Sequence, residues 1–175
     1  MFDPKLLVKI LFLDIDGVLN SAQSSHMHYR ERKKAERGEP SWLDCLGRRA
    51  LREDEFCPIA CSNLADILDI IPDLNIVVSS TWRMGRTVEE LRDVLTKAGI
   101  PRERVLDKTI ILHHEQRGVE IKEWLSRNKT EVYCVLDDDS DMDDVRDNFI
   151  QTDWLVGLDF HTRNKVINHF KQTVE

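Results

Sequence analysis

Asp14 and Asp16 stand one residue apart at the end of the apolar run Ile10-Leu11-Phe12-Leu13, and Gly17 follows at once. Two carboxylates this close resist joint ionisation, so either one keeps its proton or a cation is drawn to them. The pattern points to a metal and to phosphorus chemistry. A second acidic group, Asp137-Asp138-Asp139-Ser140-Asp141, follows the apolar run Val132 to Leu136. Asp is favoured in turns and at helix starts, but three successive acids at a strand end would repel one another with nothing to compensate. Hydroxyls and cations lie between the two acidic groups. Ser79-Ser80-Thr81-Trp82-Arg83 follows Ile76-Val77-Val78, Arg117 precedes Gly118, and Lys122 comes just over one helical turn later.

These residues need a frame, and the apolar runs supply one. Val8 to Leu13, Ile76 to Val78 and Val132 to Leu136 are short, nearly continuous and partly β-branched, as expected of strands buried on both faces of a parallel sheet. Between them lie helical patterns at Asn63 to Ile70, stopped by Pro72, and at Thr87 to Ala98. Thr87 and Glu90 form a capping box there, and Gly99 and Pro101 supply the stop. A third helix is expected from about Gly118 to Arg127, a short strand at Phe149 to Thr152, and a closing helix around Val166, Ile167 and Phe170. Strands alternating with helices indicate an α/β domain, a three-layer, Rossmann-like, mainly parallel sheet with its site outside the carboxyl ends of the strands. That rule gathers Asp14, Asp16, Ser79, Ser80 and Asp137 to Asp139 in one crevice.

The chain has 175 residues, 41% of them hydrophobic and 33% charged, with a net charge of -7. It reads as one domain over 1–175, long enough to bury a proper core, and the negative balance argues against wholesale polyanion binding. Lys9, Asp14 and Asp16 interrupt the first apolar segment well short of a membrane span, and no small-residue cleavage site follows; a cytoplasmic protein without a membrane partner is the expectation. Residues 21–58 exceed a typical connection and read as a small cap or insert. Eight Lys or Arg against four Asp or Glu between Ser21 and Arg52 make this stretch locally basic. It is either a solvated helix laced with ion pairs or a lid whose basic face meets an anionic substrate. Cys45, Cys57, Cys61 and Cys134 lack zinc-site spacing and are too sparse for a disulfide scaffold, so free thiols are expected. His113 and His114 read as loop residues, because adjacent histidines point apart.

Taken in order, Phe12-Leu13-Asp14-Ile15-Asp16-Gly17-Val18-Leu19-Asn20, Ile76-Val77-Val78-Ser79-Ser80, a basic residue near Arg117, and Val135-Leu136-Asp137-Asp138 resemble the four motifs of the haloacid dehalogenase superfamily, the aspartate-nucleophile phosphohydrolases. The resemblance implies a Mg²⁺-dependent phosphomonoester hydrolase. Asp14 would be the nucleophile that forms an aspartyl-phosphate, and Asp16 the acid/base. In the family the cation touches the first carboxylate and the backbone carbonyl two residues later, so Asp14, Asp16, Asp137 and Asp138 would form the metal site, Asp138 as direct ligand and Asp137 in support. Asp139 and Asp141 follow closely enough to compete. Oxygen donors suit Mg²⁺. Ser80, chosen over Ser79, would hydrogen-bond the phosphoryl group beside Thr81, and Arg117 would be the cation facing it, with Lys122 as competitor. Arg83 is either a bidentate phosphate contact or a surface charge.

A short insert after the first motif resembles the minimal caps of members with open crevices. The basic stretch and the Trp82-Arg83 pair suit a nucleotide or a phosphorylated nucleic-acid end, though a phosphorylated small molecule fits the same chemistry. A non-catalytic phosphoacceptor or signalling module, like a receiver domain, also gathers aspartates, a hydroxyl and a cation on a parallel sheet, but it has no need of an acid/base at the position of Asp16. An inactive binding scaffold is the third reading.

Overall fold

Lys9–Leu13 forms β1, and its alternating side chains supply both sides of the molecule. The computed structural model describes residues 8–40, 56–112, 116–130 and 132–172. In chain order, helix α1 (Ala22–Glu36) and helix α2 (Pro58–Ile70) follow β1, then β2 (Leu74–Val78), α3 (Val88–Thr96), β3 (Val105–Lys108), α4 (Arg117–Arg127), β4 (Val132–Asp137), β5 (Phe149–Gln151) and α5 (Phe160–Gln172). The five strands are all parallel, in the order β3-β2-β1-β4-β5. Leu11 and Leu13 face one core with Leu64 and Ile67 of α2, Leu91 and Leu95 of α3, and Val166 and Phe170 of α5. Ile10 and Phe12 face the other, with Ile121 and Trp124 of α4. Helices on both faces of a parallel sheet make the three-layer α/β architecture that the strand-helix alternation predicts.

One local signal acts as read. The Thr87 side chain accepts from the Glu90 N–H while Glu90 reaches back to the Thr87 N–H, closing the capping box that starts α3. The helix expected over Asn63 to Ile70 starts earlier than its apolar pattern suggests, at Pro58, whose missing N–H costs nothing in the first turn. Strand β3 was not foreseen. Val105-Leu106-Asp107-Lys108 is only half apolar because it lies at the sheet edge, where just Val105 is fully covered.

Of the 21–58 stretch, residues 41–55, with Trp42 and Cys45, lie outside the described residues. Its described part is α1, capped by Ser21 and Ser24. Lys34 pairs with Glu31, Lys33 with Glu36, and Arg37 beyond the helix with Glu39. The ion-paired helix is therefore present, with pairs at i,i+3 rather than i,i+4. Cys57, Cys61 and Cys134 are free, and Cys134 is buried in β4. Among the described residues no helix is long and apolar enough to cross a membrane.

The strand order places the site. The chain runs outward from β1 through β2 to β3, then returns to β4 on the opposite side of β1. Such a reversal opens a crevice at the carboxyl ends of the central strands. The register aligns those ends, since Leu13 pairs with both Val78 and Leu136. One residue further, the Asp14 N–H donates to the Leu136 carbonyl and the Ser79 N–H to the Leu13 carbonyl, both at 3.0 Å. Asp14, Ser79 and Asp137 are thereby set side by side.

Candidate active site

Asp14 leaves β1 almost fully buried, and the chain must then turn away at once. Ile15 to Asn20 form that turn: the Ile15 carbonyl accepts from the N–H groups of Val18, Leu19 and Asn20, and the Gly17 N–H donates to the Asn20 carbonyl at 2.7 Å. Thr152, following β5, fixes the turn from outside through its hydroxyl, which donates to the Gly17 carbonyl at 2.9 Å. Gly17 has φ +73°, and a Cβ on it would lie 2.2 Å from Asp138 Cγ. Glycine is required here for its backbone conformation and also for the space in which the Asp138 carboxylate sits.

Carboxylate oxygens of Asp14, Asp137 and Asp138 lie within 4.8 Å of one another. Burial is the main force raising all three pKa values above the ordinary carboxylate range. It pushes Asp137 to about 7, aided by the negative charge of Asp14, and it raises Asp14 despite relief from Arg117 and from the hydrogen bond with Ser80. Asp138, less buried, is raised as well. Three such groups cannot all ionise cheaply without a cation. Asp137 Oδ2 is buried and makes no hydrogen bond; Arg117 Nη1 stands 3.1 Å from it, but without the alignment of a hydrogen bond. A buried acceptor left open beside two more carboxylates, in a cradle that a single Cβ would fill, fits a hard divalent cation. Asp14, Asp137 and Asp138 are the side chains that would hold it.

Arg117, the first residue of α4, is the cation of the site. Its Nη1 donates to Asp14 Oδ1 at 2.7 Å. Burial works against its charge, but Asp137 and Asp14 outweigh this and keep it firmly protonated. Asp141 holds the helix end in place: its Oδ2 accepts from the Arg117 N–H at 3.0 Å and its carbonyl from the Gly118 N–H at 3.1 Å. Asp141 is thus a brace for α4. Asp139 is exposed, its N–H donating to Asp137 Oδ1. Neither belongs to the cluster around Asp14.

The remaining sequence candidates separate. Ser80 is fully buried and hydrogen-bonded to Asp14, whereas the Ser79 hydroxyl has no partner. Thr81 is exposed on the turn Thr81–Arg83. Asp16 lies outside the carboxylate cluster, exposed at the rim, with its Oδ2 accepting from Trp82 Nε1 at 2.7 Å. Lys122 must be set apart from the site: it is largely exposed and paired with Asp144 at 2.8 Å. Both readings of Arg83 are corrected as well. Its side chain is 2% exposed, its Nη1 donates to the carbonyls of Ser79 and Ser80 at 2.5 and 2.7 Å, and its Nη2 pairs with Glu120 of α4. His113 and His114 lie outside the described residues.

Sequence reasoning missed Glu120 and the roles of Trp82 and Thr152. Glu120 offered a faint signal, a charged residue between Val119 and Ile121 on the face of α4 that packs inward. Its other oxygen accepts from the Leu112 N–H at 2.8 Å. Arg83 and Glu120 together tie the end of β2, which carries Ser80, to the helix that carries Arg117.

No protein with a curated description matches the chain in sequence. A haloacid dehalogenase-like family hydrolase from Streptococcus pneumoniae is similar in structure at a TM-score of 0.47 and 14% identity, over 93% of this chain and 90% of that one. Residues 10–162 match the family described as the HAD domain in Swiss Army Knife RNA repair proteins. That span runs from β1 into α5 and includes every group placed around Asp14, and the chain accordingly belongs to this family of haloacid dehalogenase domains.

Proposed function

We propose that the chain is a Mg²⁺-dependent phosphomonoester hydrolase that works through an aspartyl-phosphate on Asp14. The observation that carries this is the placement of one buried carboxylate, Asp14, among Asp137, Asp138, Ser80 and Arg117. When bound, the cation would neutralise the field that otherwise keeps a carboxylate from approaching a phosphate dianion. An Asp14 oxygen attacks phosphorus in line, and the ester P–O bond breaks as Asp16 gives its proton to the leaving oxygen. Asp16, now a carboxylate, takes a proton from the water that attacks the same phosphorus, and the Asp14–phosphorus bond breaks to release inorganic phosphate. Arg117 and the Ser80 hydroxyl meet the equatorial oxygens, where negative charge accumulates.

The substrate we infer is a phosphorylated nucleic-acid end. The family is described for RNA repair proteins, and repair of a broken strand demands removal of misplaced terminal phosphates. An aromatic residue with a cation over its ring, Trp82 with Arg86 5.6 Å from the ring centroid, lies at the Asp16 rim, where such a leaving group would emerge.

Phosphate release from 5′- and 3′-phosphorylated oligonucleotides, mononucleotides and an aryl phosphate, measured with Mg²⁺ and with chelator, tests both parts. Metal-dependent turnover is expected, removed by Asp14→Asn and greatest on oligonucleotide ends. Undiminished turnover by Asp14→Asn refutes the nucleophile, and a preference for small phosphomonoesters refutes the substrate.

A further inference from the structure

Asp16 is asked to hold a proton at one definite place, yet it sits at an exposed rim where a carboxylate would ordinarily turn freely. Among the described residues, one side-chain donor holds it, the indole Nε1–H of Trp82, 2.7 Å from Oδ2 and 66 positions away in sequence. That indole is itself held. The Ser80 hydroxyl oxygen accepts from the Trp82 N–H at 3.3 Å and starts the turn. Arg83, the next residue, is locked to the carbonyls of Ser79 and Ser80. The ring packs against Phe56, with centroids 5.9 Å apart. A donor fixed on three sides therefore presents one N–H to one oxygen of Asp16.

We propose that Trp82 is the positioning residue for the acid/base of this site; the inference rests on the phosphohydrolase reading given above. The indole N–H donates and cannot accept. With Oδ2 engaged by that bond, Oδ1 is the oxygen left to face the leaving group. The bond also fixes the rotation of the carboxylate, and an acid held in the productive geometry transfers its proton at a lower entropic cost. Ser80 and Trp82 share one short turn, so the hydroxyl beside Asp14 and the donor that aims Asp16 move as a unit. The second motif of the chain thus serves both ends of the reaction, the phosphoryl group through Ser80 and the leaving group through Trp82.

A proton donor matters most when the leaving group is poor, so the test compares kcat/KM on an alkyl or ribosyl phosphate with that on a nitrophenyl phosphate. Trp82→Phe removes the N–H. It is expected to lower kcat/KM on the poor leaving group about 10- to 100-fold, part of the roughly 10²- to 10⁴-fold a general acid supplies, and to change the nitrophenyl value less than about threefold. In an Asp16→Asn background the same change is expected to have no further effect on either substrate. An equal loss on both substrates, or an undiminished loss in the Asp16→Asn background, makes Trp82 merely structural and overturns the proposal. If Asp16→Asn itself does not discriminate between the leaving groups, it is the acid/base reading that fails. Should Trp82→Phe not fold, the indole N–H resonances of the ¹⁵N-labelled protein decide: the Trp82 signal is expected to move in Asp16→Ala more than those of the other tryptophans, and a stationary signal refutes the contact.

Discussion

Gly17 shows how one residue type can be demanded twice at one position. Its φ of +73° penalises any side chain, and its missing Cβ leaves room for Asp138. Gly85 separates the two demands, because it has φ +69° with nothing within 4 Å of where its Cβ would be. Gly85→Ala and Gly17→Ala are both expected to lose stability from backbone strain, roughly 1 kcal/mol or more. Only Gly17→Ala is expected also to lose affinity for a divalent cation, because Asp138 must give way. Isothermal titration with Mg²⁺ or Mn²⁺ checks this, and equal affinities in the two variants would separate Asp138 from the cation site. The glycine was legible in the sequence because it directly follows two aspartates. The choice of Asp137 and Asp138 over Asp139 and Asp141 rested on the resemblance alone, because residue types do not reveal which carboxylates point back toward β1 and which hold the start of α4.

At the scale of elements, the sequence showed most where periodicity and caps agree. The runs before Asp14, Ser79 and Asp137 read as strands because each is buried on both faces, whereas β3 escaped notice because an edge strand is only half covered. The ties between elements stayed hidden for a different reason. Arginine is almost never fully buried without a partner, and nothing local in Arg83 or Glu120 reveals that they meet across 37 positions. Burial lowers the pKa of Arg83 while Glu120 works to restore it, so the pair is held together by mutual need. Arg83→Met leaves the Glu120 charge without its cation and the Ser79 and Ser80 carbonyls without their donor. A loss of about 3–5 kcal/mol is expected, the range for breaking a buried ion pair, read from the shift of the urea unfolding midpoint. A fall in kcat greater than any rise in KM should accompany it in whatever fraction remains folded, since Ser80 and Arg117 lose their common brace. A stability loss below about 1 kcal/mol would show the pair to be dispensable.

For the molecule as a whole, the site is a local instability that a bound cation would relieve, and the linkage between protons and folding makes this measurable. Burial raises the native pKa values of Asp14, Asp137 and Asp138, Asp137 to about 7 from an ordinary 3.8. Between those pH values the native protein keeps protons that the unfolded chain has already shed. Stability then falls as pH rises, because the native state is the one binding more protons. As far as these groups decide it, the metal-free protein is therefore expected to be most stable below about pH 4, and to lose up to about 4 kcal/mol through Asp137 as the pH climbs from there past 7, at about 1.36 kcal/mol per pKa unit. Arg117 moderates this loss but does not reverse it, since its charge already acts within those raised values. Mg²⁺ or Mn²⁺ binds only the ionised carboxylates, so its effect on Tm should be large at pH 8 and small at pH 5. Thermal melts with and without cation at the two pH values check both signs. A Tm that rises steadily from pH 5 to pH 8 in chelator, or a cation shift as large at pH 5 as at pH 8, would mean that these three aspartates do not share one charge-poor pocket.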